Sequence, residues 1–462
     1  MTPRVLSWIA QVTSGRLHGV DRTVDAVTTD TRALPQGRDA LFVALKGENF
    51  DGHDHVAAAT AGGCVAALVS RVVETSIAQV VVADTQHALA DFAAAVQRGR
   101  SRTRVVAITG SNGKTSVKTL IEAVLSRAGK TYATPGNRNN EIGMPLAVLD
   151  APDDADFAIY EMGTGAPGDI AYLTAIAAPD VGLVNNVAPA HLERMGSLLE
   201  IANTKAAVYD DLRDSGTAVI NADDAFAPYF AERAGSHRVI HFGLDASAEV
   251  SARDIEIDAE GSRFTLVTPQ GRAALMLAMP GLHNVRNALA ATAVALALDV
   301  PLAVIVEGLQ AARPVGGRQV AHRLYNGAML VDDSYNANPG SVAAAIDILA
   351  ASGSEAWLVL GDMRELGVDE VTLHAQAGAR AKAAGIARLY TLGALSKAAA
   401  DAFGDGARAY ASHAELADAL SAELRAGVRV LVKGSRGSAM DRIVKALLAS
   451  DAAADKGEAD AA

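Results

Sequence analysis

Residues 105–116 read Val105-Val106-Ala107-Ile108-Thr109-Gly110-Ser111-Asn112-Gly113-Lys114-Thr115-Ser116, and this stretch decides the architecture around it. Its first half is apolar and β-branched, as a buried strand is. Its second half is a glycine turn, and the residues beyond return at helical spacing. Leu120, Ile121, Val124 and Leu125 mark the apolar face of that helix, and Gly129 ends it. A strand, a glycine turn and a helix in that order aim backbone N–H groups and the positive end of a helix dipole at one point, where a polyphosphate sits. Gly110 and Gly113 let the backbone approach the phosphates. Lys114 adds a positive charge and Thr115 offers a hydroxyl to Mg²⁺, with Ser111, Asn112 and Ser116 completing the turn. Only Ser111 and Asn112 separate the two glycines, where the common phosphate-binding loop has four residues, so a chance match in a surface loop is the competing reading. The strand before and the amphipathic helix after are what the mechanism requires, and they favour ATP binding.

Length and composition set the outer bounds. A chain of 462 residues exceeds what one core supports, so two or three domains are expected. The richest apolar windows, such as Ala288 to Leu298, are short and alanine-heavy, so no membrane insertion is expected. Met1 to Ile9 lack the long apolar core of a signal peptide. A single cysteine, Cys64, excludes an internal disulfide and a cysteine-rich metal site, consistent with a cytoplasmic location. A net charge of −12 argues against a nucleic-acid surface. An anionic nucleotide must then be held by local dipoles and a few cations.

The expected fold class is α/β in three units: a small N-terminal α/β domain (1–85), a central ATP-binding domain with a mostly parallel sheet (86–314), and a C-terminal Rossmann-like α/β domain (315–450). The first holds short apolar strands and polar loops at Asp30-Thr31-Arg32 and around Lys46, which on composition alone are turn chemistry. The second alternates apolar strands with helical patterns and carries one antiparallel hairpin near Arg263 to Val267. The third repeats the α/β pattern without a Gly-x-Gly-x-x-Gly fingerprint, so it implies no dinucleotide. Residues 451–462 are alanine and charge with no apolar period, and a disordered tail is expected there.

Ligands in open α/β sheets bind beyond the carboxyl ends of the strands, and several polar groups fall there. Glu161 directly follows the strand Phe157 to Tyr160, and His191 follows the strand ending near Val187. Each alone is more often structural. Beside a Gly-Lys-Thr turn they fit a Mg²⁺ site in which protein ligands supplement phosphates. Lys205 lies on a predicted helix from Leu198 to Leu212 and reads, in isolation, as a solvated lysine. In the third unit, Lys433-Gly434-Ser435-Arg436 ends one strand and Asp332 to Pro339 follows another, both polar turns suited to a ligand. The site is expected in a cleft between domains that close on each other.

These motifs together resemble the Mur ligases, ATP-dependent peptide-bond-forming enzymes of bacterial cell-wall synthesis. The resemblance covers nearly the whole chain. It rests on the loop Thr109 to Thr115 with its shortened spacing, on Asn186 with Ala190-His191-Leu192, and on Gly281-Leu282-His283-Asn284-Val285-Arg286-Asn287-Ala288. Gly136 to Leu146, Glu161-Met162-Gly163, Asp332 to Pro339, Gly361 to Gly367 and Val432 to Arg436 narrow it to the member that adds D-alanyl-D-alanine to UDP-N-acetylmuramoyl-tripeptide.

The resemblance implies an acyl-phosphate mechanism with ATP and two Mg²⁺, Lys114, Glu161, His191 and Lys205 being catalytic. Thr115, Glu161, His191 and a CO₂-derived carbamate on Lys205 would hold metal; this chain has Lys205-Ala206-Ala207 where the family commonly shows Lys-Gly-Glu. It further implies that Asn284, Asn287 and Arg318 lie near adenine and ribose. Substrates would meet Thr31, Arg32, Lys46, Asn137, Asn139 and Asn140, and also Asp333, Tyr335, Asn336, Asn338, Lys433, Ser435 and Arg436. No nucleic-acid partner is implied, and a monomer is expected. A sibling ligase of the same plan, or an ATP-gated switch without an acceptor, are the alternatives.

Overall fold

The structure, a computed structural model, describes residues 1–189, 192–258 and 260–459. Three α/β layers follow one another along the chain, each on its own sheet. In the first, β1 (Arg16–His18), β2 (Ala26–Thr28), β3 (Ala40–Val43), β4 (Ala66–Val69) and β5 (Ala78–Val81) lie in the order β1-β5-β4-β3-β2. Strands β2 to β5 are parallel, and β1 is the antiparallel edge. β3 and β4 are buried at every position, the reason they read as unbroken apolar runs. The loops bearing Asp30–Arg32 and Lys46 leave the carboxyl ends of the neighbouring strands β2 and β3.

The central sheet is wholly parallel: β6 (Arg104–Thr109), β7 (Thr131–Ala133), β8 (Phe157–Glu161), β9 (Val181–Val184), β10 (Thr217–Asn221) and β11 (Arg238–Phe242), in the order β11-β10-β9-β6-β8-β7. From β6 the chain runs out to the edge at β7, returns through β8, then crosses to the far side for β9 to β11. The strand order therefore reverses beside β6. The crevice outside the carboxyl ends of β6, β8 and β9 is the topological switch point, where such sheets take ligands. Gly110, Glu161 and Asn185 stand at those three ends.

Helix α1 (Thr85–Gly99) is capped by Asp84, which accepts from the N–H groups of Gln86 and His87. It closes a core that runs without a break from the N-terminal sheet (Leu41, Leu68) to one face of the central sheet (Val105, Tyr160). The other face is covered by α2 (Lys114–Ala128) and a later helix, Leu282–Ala297. The expected hairpin is a three-stranded antiparallel sheet: Ser262–Thr268 and Gly271–Leu277 are joined by Ser251–Ile257. That added strand is largely solvent-facing, so it carries no apolar alternation to read.

In the C-terminal layer β12 (Val320–Arg323), β13 (Met329–Asp333), β14 (Glu355–Gly361), β15 (Arg388–Leu392), β16 (Ala407–Tyr410) and β17 (Val428–Lys433) lie in the order β12-β13-β17-β14-β15-β16, all parallel except β12. Register pairs Asp333 with Lys433, and Lys433 with Leu360, so three adjacent strand ends meet at one rim. The expectation of a disordered tail from 451 is corrected for residues 451–459, which continue the helix Asp441–Ala459. Alanine is the strongest helix former and Glu and Lys follow, so composition sustains a helix there without an apolar stripe. No helix among the described residues is long and apolar enough to cross a membrane.

Candidate active site

The turn after β6 is shaped by two glycines at positive φ, Gly110 at +151° and Gly113 at +79°. At Gly113 a Cβ would stand 2.6 Å from Asn287 Oδ1 and 2.7 Å from Asn185 Nδ2, so even a methyl would have to push both side-chain amides aside. The turn is braced from the end of β9. Asn112 N–H donates to Asn186 Oδ1 at 2.9 Å, and the amides of Asn185 and Asn186 donate to Asn112 O at 3.0 and 3.1 Å. Asn185 Nδ2 also reaches Asn287 Oδ1 at 3.2 Å, and Asn287 Nδ2 reaches Asn284 Oδ1 at 3.2 Å. A ladder of side-chain amides thus ties the turn to the helix Leu282–Ala297. Lys114 is half-buried and donates to Gly110 O at 2.6 Å. Burial lowers its amine, Arg318 adds to that, and Glu161 opposes.

Glu161, at the end of β8, meets three donors. Thr115 Oγ1 donates to Oε2 at 3.0 Å, Lys118 Nζ lies 3.1 Å from Oε2, and Asn139 Nδ2 donates to Oε1 at 3.0 Å. Burial acts to raise this carboxyl, but the charges of Lys118 and Lys114 and the hydrogen bonds outweigh it, and the group sits below the ordinary range. Lys118 is itself buried and donates to Thr134 O at 2.8 Å and Gly136 O at 3.1 Å, pinning the turn that leads to Asn137–Asn140. Sequence reading missed it. The signal was present: Lys118 falls between Val117 and Leu120, on the face of α2 turned to the sheet.

Lys205 is not solvated. The helix Leu198–Ala206 leaves it 2% exposed, and no hydrogen bond or ion pair reaches it among the described residues. Burial first, and the charge of Lys114 second, push its amine well below the ordinary lysine range. His191 lies outside the described residues. Among those described, no cluster of three or more His, Cys, Asp or Glu side chains is placed to hold a metal.

The C-terminal rim faces this turn directly. Arg318 Nη2 donates to Thr115 Oγ1 at 2.9 Å, and Asn338 Nδ2 to Asn112 Oδ1 at 2.7 Å. Asn338 also caps the helix Pro339–Ala350 in a capping box with Ser341. The Tyr335 ring lies under two guanidinium groups, Arg318 at 4.4 Å and Arg436 at 5.4 Å. Lys433 Nζ pairs with Asp333 Oδ2 at 2.7 Å and donates to Asn336 O at 3.0 Å. Burial raises the Asp333 carboxyl against the pull of Lys433 and Arg318. Ser435 Oγ donates to Ala337 O at 3.0 Å, which joins the two rim turns.

The two rims enclose a cleft of about 1100 Å³. Gly110 to Ser116, Asn137, Asn139, Asn140, Glu161 and Lys205 line one side. Asn284 and Asn287 join that side from the helix Leu282–Ala297, and Arg318, Asp333, Tyr335, Asn336, Asn338, Lys433, Ser435 and Arg436 line the other. His283, Arg364 and Glu365 also line it; the sequence reading quoted them within the stretches Gly281 to Ala288 and Gly361 to Gly367 but gave them no site role. Thr31, Arg32 and Lys46 do not reach the cleft; they stand on the rim of the N-terminal sheet, where Arg32 forks onto Asp30 at 2.8 and 2.9 Å.

A phosphate-binding turn with an acidic strand end and a buried amine, facing a cation-rich rim on a second lobe, defines an ATP-dependent ligase. Residues 108–295 match the Mur ligase middle domain and residues 317–436 the Mur ligase, glutamate ligase domain. The chain is 42% identical over 446 residues to the UDP-N-acetylmuramoyl-tripeptide–D-alanyl-D-alanine ligase of Escherichia coli (strain K12), covering 96% of this chain and 98% of that one. MurF from Acinetobacter baumannii superposes with a TM-score of 0.91 at 33% identity, over 97% of this chain and 99% of the other. The MurF ligase of Thermotoga maritima in complex with ADP gives 0.83 at 26%, over 92% and 97%. The protein belongs to the Mur ligase family.

Proposed function

We propose that the protein joins D-alanyl-D-alanine to UDP-N-acetylmuramoyl-tripeptide, converting ATP to ADP and phosphate and yielding the pentapeptide precursor of peptidoglycan. The observation that carries this reading is the meeting, in one cleft, of the phosphate-binding turn, Glu161 and Lys205 with Asp333, Tyr335, Lys433 and Arg436. Residues 1–85, with Thr31, Arg32 and Lys46, take the UDP-sugar end. Residues 86–314 take the nucleotide, with Asn284, Asn287 and Arg318 at adenine and ribose. Residues 315–450 take the dipeptide. A monomer working in the cytoplasm completes the proposal.

A carboxylate is a poor electrophile because its leaving group would be oxide. Its oxygen therefore attacks the γ-phosphorus, the bond to the β,γ-bridging oxygen breaks, and ADP departs. The dipeptide amine then attacks the acyl carbon, the C–O bond to phosphate breaks, and the ammonium proton passes to water or to phosphate. Both partners of the first step are anions, so charge neutralisation is the main demand. Lys114 and the N–H groups at the start of α2 meet the phosphates. The Thr115 hydroxyl and the Glu161 carboxylate, 3.0 Å apart, are oxygen donors of the kind that hold Mg²⁺ together with phosphates. When bound, the ion would spread the γ-phosphate charge. Lys205 suits CO₂ addition, since its depressed amine is nucleophilic and unengaged. The N–C bond forms, a proton leaves, and the new carboxylate would offer oxygen donors to a second Mg²⁺, for which the proposal also assigns His191 as a ligand.

An ADP-release assay tests the reading. ADP should form only with both UDP-N-acetylmuramoyl-tripeptide and D-alanyl-D-alanine present. Turnover with single D-amino acids or glutamate would favour a sibling ligase, and acceptor-independent hydrolysis would favour a switch.

A further inference from the structure

We propose that Arg364 holds the C-terminal carboxylate of the incoming dipeptide, and so sets the requirement for a free acid at that end. The inference rests on the ligase reading above. The dipeptide offers two handles: an amine that must reach the acyl carbon, and a carboxylate two residues on, about 7 Å away when extended. A partner for that carboxylate belongs on the C-terminal lobe. Most cations lining the cleft there are engaged. Lys433 pairs with Asp333, Arg318 donates to Thr115, and Arg436 stacks on Tyr335. The guanidinium of Arg364 makes no hydrogen bond, ion pair or ring contact among the described residues, and it lines the cleft exposed to solvent.

Its backbone, in contrast, is held at each neighbouring residue. Asp362 O accepts from Ser435 N–H at 3.0 Å and from Ser438 Oγ at 2.8 Å. Met363 N–H donates to Nε2 of the fully buried His374 at 2.8 Å. The other ring nitrogen of His374, 2.6 Å from Glu370 O, must then carry the proton. Arg364 N–H donates to Ser435 Oγ at 3.0 Å. The next residue, Glu365, is held at φ +62°, a conformation that costs a non-glycine residue energy and recurs at ligand clamps. Gly437 completes the seat, since a Cβ there would stand 3.1 Å from Arg364 Nε. A free planar fork on a rigid turn is the arrangement that grips a carboxylate with two hydrogen bonds.

The test compares D-alanyl-D-alanine with its C-terminal amide in steady-state ADP release. The wild type should prefer the acid by about tenfold to a hundredfold in kcat/KM, the range of a charge-assisted pair. Arg364→Met should raise KM for the dipeptide by that factor, leave kcat and the KM for ATP unchanged, and use acid and amide equally. Arg364→Lys should restore part of the preference, and Arg364→Gln repeats the test with a shorter polar side chain. An acid preference kept in Arg364→Met, or a loss that falls on ATP instead, would overturn the assignment alone. A wild type that releases no ADP with D-alanyl-D-alanine would instead overturn the ligase reading.

Discussion

Replacing Gly113 by alanine probes the phosphate-binding turn where it is least forgiving. A left-handed conformation costs an L-residue about 1–2 kcal/mol, and Gly113 sits at φ +79°. The added methyl would stand 2.6 Å from Asn287 Oδ1 and 2.7 Å from Asn185 Nδ2, so both side chains must move. Their 3.2 Å hydrogen bond and the 3.0 Å bond from Asn185 to Asn112 O would break. At about 1 kcal/mol each, these bring the total to roughly 3–4 kcal/mol. That cost falls on the nucleotide-ready turn, so Kd for ATP, read by calorimetric titration, should rise roughly 150-fold or more. The expected partner effect is a lowered melting temperature. A Kd within about threefold of wild type, less than 1 kcal/mol, together with unchanged melting, would refute the claim that the turn depends on glycine and the amide ladder.

Other perturbations follow the same logic. Lys118→Met leaves Glu161 without its nearest cation and should lower stability by about 3–5 kcal/mol in denaturant titration; adding Glu161→Gln should recover part of it, as coupled partners do. Lys205→Ala should abolish ligation, with partial rescue by short carboxylic acids, and ¹³CO₂ should give a carbamate signal in wild type that the variant lacks. His283 is held down to about 4 by burial, with Lys433 and Arg286 adding to it, against an ordinary value of 6.5. The unfolded chain takes up that proton at higher pH than the folded one, so stability falls as pH drops through the window from 6.5 toward 4. At 1.36 kcal/mol per unit the loss approaches about 3 kcal/mol, and His283→Gln should flatten that part of the melting profile.

The sheets were legible because parallel strands buried on both faces must be apolar throughout, and the glycine turn with its helix could be placed to the residue. What failed to show was whatever depends on neighbours distant in sequence. Asn185 braces Asn112 across 73 positions, and Lys205 becomes buried only when its helix packs on the central sheet. Lys118 was hidden for the opposite reason, a charged residue on an apolar face being easy to pass over. The solvent-facing strand Ser251–Ile257 and the helix through 451–459 left no hydrophobic period to detect. Thr31, Arg32 and Lys46, whose loops composition assigns to turns, stand together on a rim away from the cleft, and no local pattern fixes what they meet.

Oxygen-isotope tracing bears most directly on the central claim that an acid is activated by phosphoryl transfer in this cleft. With ¹⁸O in the terminal carboxylate of UDP-N-acetylmuramoyl-tripeptide, each phosphate released during ligation should carry one labelled oxygen. Phosphate free of label, alongside full yield of the pentapeptide, would contradict the account.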